Sequence, residues 1–423
     1  DIDAVGQMDL STFYAKYRST KFGRPAFDPA MLLSLLIYAY CQGITSSRKI
    51  ESACRDRVSF RVITANQTPD HVTIATFRKD HEALFKGVFT DVLRLCAQAG
   101  LVKVGRVALD GTKFQGNASL GANRTAKSIQ KEVDVMLGEA AEMDRKEDAQ
   151  FGKGRRGDEL PEALRGRVDR LRRLRECKAR LDAEAQEAED RQQAKIDARE
   201  AEEKQTGRKK RGRKPKSAQD ARKEKKDAKA NATDPESRIL KTSKGYCQGY
   251  NAQAVATEDQ IIVAADVTQE ENDVRQLHPM LAQTKATCAA AGIEQAVGTC
   301  SADAGYWSEE NMRQADAKGP ELFIATTKDS TERKVLRDAP APRGRIPKNY
   351  TAKQRMERKL QTLRGRATYK KRSQTIEPVF GQIKSKADRF MRRGLEACRS
   401  EWHLLCAAHN LLKWWRKGGL HPA

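Results

Sequence analysis

The sequence predicts a mixed α/β fold: a sheet core, preceded by a helical domain and interrupted by a long charged helical insertion. Three observations lead there. Helical periodicity governs the chain before residue 100. Strand-type apolar runs then appear at 102–109, 249–256, 261–267, 297–302 and 322–325, with helical patterns between the later ones, the alternation that builds a mixed sheet. Between the first strand and the second, residues 129–240 fill with Ala, Glu, Gln, Arg and Lys and lose most apolar anchors.

The helical part opens at Phe27-Asp28-Pro29-Ala30, a helix start with the run Met31 to Ile37 behind it. Gly43 closes that helix, and Thr45-Ser46-Ser47 offers a cap for the next, Arg48 to Ala53. Pro69-Asp70-His71 precedes a third, and Leu84 to Ala99 reads as a fourth. With Arg24, Arg48, Lys49, Arg55 and Arg61 on it, this module suits DNA-backbone contact, or serves as a structural domain. Val102, Val104, Val107 and Leu109 read as a strand ending at a turn-like Asp110-Gly111. In the insertion, Leu164, Val168, Leu171, Leu174, Cys177 and Leu181 recur at helical spacing. The charged stretch after Leu181 reads as an extended helix, an arm of a helical hairpin, or a disordered tract. Glu258-Asp259-Gln260 joins two strands as a hairpin turn. Helices are expected over Asp273–Ala291 and Ser308–Ala317, a Pro- and Arg-rich loop over 331–350, and helices from Thr351 on.

A net charge of +23 on 423 residues asks for a polyanionic partner, and nucleic acid is the commonest. An anionic membrane surface is the rival, but no apolar stretch reaches the roughly 20 residues that span a bilayer. No cleavable leader is read, and the chain starts at Asp1 without Met, as a piece lacking a short N-terminal segment would. The nine cysteines are odd in number and form no CxxC pair, which argues against a disulfide framework or a structural zinc site and fits a reducing cytoplasm.

Two acids end predicted strands, Asp110 after Val107-Ala108-Leu109 and Asp303 after Cys300-Ser301-Ala302; a third, Glu377, is expected to open a helix with Pro378 in its first turn. Three converging carboxylates repel, and hard divalent cations balance them. Ordinary turn and cap carboxylates are the competing explanation.

The flanking residues carry more. In order come Leu109-Asp110-Gly111-Thr112-Lys113 leading to Asn117-Ala118-Ser119, then Gly249-Tyr250-Asn251-Ala252-Gln253, then Ala302-Asp303-Ala304-Gly305-Tyr306-Trp307, then Glu377-Pro378-Val379-Phe380-Gly381-Gln382-Ile383-Lys384. Together they resemble the DDE transposases of bacterial insertion sequences, in the YREK-signature group. The resemblance spans about 20–128 and 241–415, including Arg24-Pro25, Pro69 to Ile74 with Phe77-Arg78, and His409 to Lys413. It implies an RNase H-like core with Asp110, Asp303 and Glu377 as ligands of two Mg²⁺ or Mn²⁺ ions. It also implies cleavage at insertion-sequence ends followed by strand transfer into target DNA, through phosphodiester hydrolysis and transesterification. A metal-dependent nuclease without strand transfer, or an inactive DNA-binding relative, are the alternatives. Tyr369 and Arg372 match the Tyr and Arg of the signature, and Glu377 and Lys384 its Glu and Lys; Tyr369, Arg372 and Lys384 are expected at the DNA. Four residues separate Arg372 from Glu377 where three are usual, so Lys371 is an alternative occupant. The implied partners are double-stranded DNA, both terminal inverted repeats and target, and a second copy forming a homodimer on it. The implied location is the bacterial cytoplasm, at the nucleoid.

Three motifs keep two readings. Arg211-Gly212-Arg213 lies in the tract Gly207–Lys216 and fits either a narrow minor groove or a flexible phosphate-binding tether. Trp307 stacks on a base or packs in the core. His71 and His409 read as helix-end or packing residues. The expected organisation is a helical DNA-binding domain 1–100, a first core part 101–128, the insertion 129–240, the continued core 241–330, a basic loop 331–350, and C-terminal helices 351–423 carrying Glu377.

Overall fold

The computed structural model describes residues 2–15, 17, 26–151, 162–209, 212, 214–226, 228–243, 245–316, 318–347 and 349–417. It divides into two compact units, 1–116 with 240–423, and 117–239. Arg24, Pro25, Arg211 and Arg213 lie outside the described residues, and with them the minor-groove reading of the basic tract.

The first unit is built on a six-stranded mixed sheet: β1 (Arg106–Gln115), β2 (Arg238–Thr242), β3 (Gly245–Thr257), β4 (Ile262–Thr268), β5 (Thr299–Ala302) and β6 (Glu321–Ile324). The order is β2-β3-β1-β5-β6, with β4 also on β3. β3 runs antiparallel to β1 and β4, while β5 is parallel to β1 and β6 parallel to β5. This is the RNase H-like order. The register pairs Leu109 with Ala302, so the next residues along, Asp110 within β1 and Asp303 just past β5, lie side by side on neighbouring parallel strands.

The strand β1 does not stop at Asp110-Gly111. It continues to Gln115, paired with β3 down to Gly249. Gly111 is a strand residue whose missing side chain makes room for the neighbouring Gln253 and Asp273.

The N-terminal helices share one hydrophobic core with the sheet. Helix Pro29–Cys41 is capped by Asp28, whose carboxylate accepts from Ala30 N, and its apolar run is buried nearly all round. The buried Arg78 side chain donates to Tyr40 Oη (3.1 Å), Thr45 O (2.8 Å) and Ser47 Oγ (2.6 Å), tying three helical segments together. His71 begins the helix His71–Asp80, with Nδ1 2.7 Å from Glu51.

The C-terminal helix Leu395–Arg416 lies along the sheet and treats β4 as an edge to be covered. Asn410 Oδ1 accepts from Ile262 N and its Nδ2 donates to Ile262 O, both at 2.8 Å, as a neighbouring strand would. His403 bonds Ala265 O at 3.0 Å, His409 bonds Gln260 O at 2.9 Å, and Trp402 Nε1 donates to Gln253 O at 3.0 Å. His409 is thus a packing residue. Trp307 is partly buried against the same core.

Two further expectations are corrected. Residues Ser330–Asp338 form a helix where the sequence predicts a loop, because Asp329 caps it from Thr331 N (2.7 Å) and Glu332 N (2.9 Å); the prolines that suggest a loop come later. Glu377 does not open a helix: it lies inside Leu363–Lys384, which runs through Pro378. Proline has no N–H for the carbonyl of Gln374. Gln260 Nε2 donates to that carbonyl instead, at 3.2 Å, so the helix continues with its orphan acceptor satisfied.

The second unit holds helices Ala126–Phe151, Glu162–Thr206 and Ala218–Lys226 and a two-stranded pair, Asn123–Thr125 with Lys229–Asn231. Leu174, Cys177 and Leu181 of the predicted apolar stripe bury against Ile129, Val133 and Ala230. Further along the long helix polar contacts take over, Arg222 with Glu189 (2.8 Å) and Gln192 with Lys216 O (2.7 Å). Among the described residues no helix is long and apolar enough to cross a membrane.

Candidate active site

The site forms where β1, the loop after β5 and the helix Leu363–Lys384 meet. Asp110 is carried by β1 and is mostly buried. Its Oδ1 accepts from Gly111 N at 2.8 Å and its Oδ2 from Arg372 Nη1 at 3.0 Å. Arg372 Nη2 donates to Glu377 Oε1 at 3.3 Å, so one guanidinium joins two of the three motif acids across 262 and 5 residues of sequence. Lys371, the alternative occupant, points elsewhere and pairs with Glu258 at 2.8 Å.

Asp303 starts a tight loop after β5. Its Oδ1 accepts from Gly305 N at 2.7 Å, and its carbonyl accepts from Tyr306 N at 3.2 Å. A side chain at Gly305 would meet Asp303 Oδ1 at 2.9 Å and Asp273 Oδ2 at 3.3 Å. A fourth carboxylate, Asp273, therefore faces the Asp303 loop. Its Oδ1 accepts from Asn251 Nδ2 (2.7 Å) and Gln253 Nε2 (2.8 Å), and Lys113 Nζ lies 3.8 Å away. Sequence reading misses it because Asp273 stands where a helix N-cap belongs; it does precede a short helical turn, Val274–Gln276, but its side chain does not cap it.

The charges respond to this crowding. The Asp110 carboxyl is raised to about 6: burial raises it most, Arg372 pulls it down and Asp303 pushes it up. Burial works against the charge of Arg372, yet Asp110 and its neighbours outweigh it and raise the guanidinium above its ordinary value. Burial raises Tyr369, whose ring centre lies 6.0 Å from the Arg372 guanidinium carbon. Lys384 Nζ donates to Thr112 Oγ1 at 2.6 Å and to Lys113 O at 3.3 Å, next to Asp110 along β1. Burial lowers its pKa.

Beside Arg372 opens a cavity of about 840 Å³, lined by Arg333, Lys334, Arg337, Arg366 and Lys370 around Tyr369. Its acid, Glu357, is engaged with Thr326 Oγ1 at 2.9 Å. The cavity is a cationic, partly apolar recess beside Arg372.

Sequence comparison adds the family. Residues 197–411, just over half the chain, match the family described as Transposase DDE domain, and residues 2–80 match Transposase domain (DUF772). The chain belongs to the DDE transposases. Comparison with curated proteins and with solved structures gives no match. DDE transposases work on DNA with divalent metals, and the donor set of this member is of the right kind: carboxylate oxygens, which hard cations prefer, at the end of a sheet. Among the described residues, no three His, Cys, Asp or Glu side chains already stand in a coordinating arrangement. Arg372 is the cation that Asp110 and Glu377 share.

Proposed function

We propose that Asp110, Asp303 and Glu377 are the ligands of two Mg²⁺ or Mn²⁺ ions, and that the chain cuts DNA at the ends of an insertion sequence of the YREK group and joins those ends to target DNA. The observation that carries this reading is the bridge from Arg372 to both Asp110 and Glu377, with Asp303 at the neighbouring strand end. When bound, the ions supply an activated oxygen nucleophile and stabilise the leaving oxygen.

The chain's own groups do the rest. Asp110 is mostly buried beside Asp303, and both raise its pKa, so bound cations would favour its charged form. Arg372, held between two acids, carries the planar fork of donors that suits a phosphate, and would turn it to the DNA as cations take over the carboxylates. Lys384 and Tyr369 lie on the same helix as Glu377, so they grip the DNA backbone on either side of the acid. The cations lining the recess beside Tyr369 guide the strand. A homodimer spanning two terminal inverted repeats is the expected working form, in the bacterial cytoplasm.

The test is cleavage of element-end DNA in Mn²⁺ by full-length protein and by Asp110→Ala, Asp303→Ala and Glu377→Ala. Each variant should lose cleavage and keep most DNA binding. Normal cutting by all three would overturn the assignment. Pre-cleaved ends then ask for joining: a protein that nicks but never joins is a nuclease.

A further inference from the structure

We propose that Tyr306, Gln253 and Asp273 form a buried positioning relay that sets the Asp303 loop, an inference that rests on reading Asp303 as a catalytic ligand. Tyr306 and Gln253 are both fully buried. The Tyr306 hydroxyl donates to Gln253 Oε1, and Gln253 Nε2 donates to Asp273 Oδ1 at 2.8 Å. Asn251 Nδ2 donates to the same oxygen at 2.7 Å and to Glu270 O at 3.1 Å.

The direction of these bonds matters. A carboxylate only accepts, so Asp273 fixes which end of the Gln253 amide faces it. The amide oxygen is then left for Tyr306, whose hydroxyl must donate. Without Asp273 the amide is free to turn over, and the tyrosine loses its fixed partner. The same tyrosine is held a second time: Asn311 Nδ2 donates to Tyr306 O at 2.8 Å and to Val274 O at 2.7 Å. Tyr306 N in turn donates to Asp303 O. The loop that aims Asp303 is thus fastened through one residue to strand β3 and to the segment 273–274.

Two glycines belong to the arrangement. An added Cβ at Gly111 would run into Gln253 Nε2 and lie 2.6 Å from Asp273 Oδ1. One at Gly305 would lie 2.9 Å from Asp303 Oδ1. A glycine in mid-strand weakens pairing, so its presence directly after Asp110 marks space that the relay occupies.

The test uses full-length protein with two readouts: calorimetric titration with Mn²⁺ alone, and single-turnover cleavage of end DNA. Tyr306→Phe keeps the ring in its cavity and removes only the hydroxyl. It should lower Mn²⁺ affinity and cleavage about 10- to 100-fold, the range seen when groups that orient metal ligands are removed, while still melting cooperatively. Asp273→Ala should do the same. Asp273→Asn, whose amide oxygen still accepts from Asn251 and Gln253, should recover most of both. Equal damage in Asp273→Asn and Asp273→Ala overturns the hydrogen-bond relay. So does a Tyr306→Phe protein that binds Mn²⁺ and cuts like the parent while Asp110→Ala and Asp303→Ala are inactive. If those two controls also behave like the parent, the catalytic assignment itself falls.

Discussion

Acid should unfold this protein through two histidines of the C-terminal helix. His403 and His409 are buried under the sheet, each with a ring nitrogen on a backbone carbonyl, and burial lowers both to about 4 from an ordinary value of 6.5. The unfolded chain takes up protons near 6.5, while the folded protein resists until about 4. The stability these groups contribute is therefore complete above pH 6.5 and is lost as pH falls toward 4. At about 1.4 kcal/mol per pH unit, each histidine should cost about 2 kcal/mol at pH 5, and the pair about 4 kcal/mol. Asp110 acts with the opposite sign: its raised pKa stabilises the fold at low pH and that contribution is lost as pH rises through about 6. The clean measurement is a difference. Urea unfolding followed by tryptophan fluorescence at pH 7.5, 6 and 5 gives the slope for the parent and for His403→Gln/His409→Gln, whose amides do not titrate. The double variant should be less stable than the parent at pH 7.5 and should flatten the slope. A variant with the parent's slope would refute the account.

Other perturbations have equally definite outcomes. Arg78→Ala removes a buried cation bonded to Tyr40, Thr45 and Ser47 and leaves the buried Glu401 poorer in positive charge. It should cost about 3–5 kcal/mol and show as a large fall in melting temperature. Gly305→Ala forces a methyl group to within 2.9 Å of Asp303 Oδ1; cleavage should fall much further than stability, as thermal melts beside a cleavage assay will tell. Binding to end DNA should weaken steeply with salt, with a log–log slope of about −0.9 per phosphate contacted; a flat titration by fluorescence anisotropy would contradict the electrostatic reading of the +23 charge.

The sequence is most informative where periodicity and motif agree. The run Val107-Ala108-Leu109 before Asp110, and Cys300-Ser301-Ala302 before Asp303, announce strands, and the two form parallel neighbours that bring the acids side by side. The hidden features depend on distant partners. Asp110-Gly111 reads as a turn because Gly usually breaks a strand; only Gln253 and Asp273, far away in sequence, explain a glycine there. Pro378 reads as a helix start because local rules place proline in first turns, yet Gln260 satisfies the carbonyl it orphans. Asp273 looks like a cap, and nothing local reveals the amides of Asn251 and Gln253 that claim it. The prolines of 331–350 suggest a loop, while Asp329 has already started a helix ahead of them.

The helix Leu363–Lys384 behaves as a ruler. Tyr369 and Lys384 are 15 positions apart, about 22 Å along its axis, comparable to six or seven phosphate steps of one DNA strand. Because Glu377 sits on the same rod, sliding the helix by one residue would turn every mark on it by about 100° together. On the roles proposed for these side chains, inserting an alanine between Glu377 and Lys384 should uncouple DNA binding from cleavage, read by fluorescence anisotropy beside a cleavage assay.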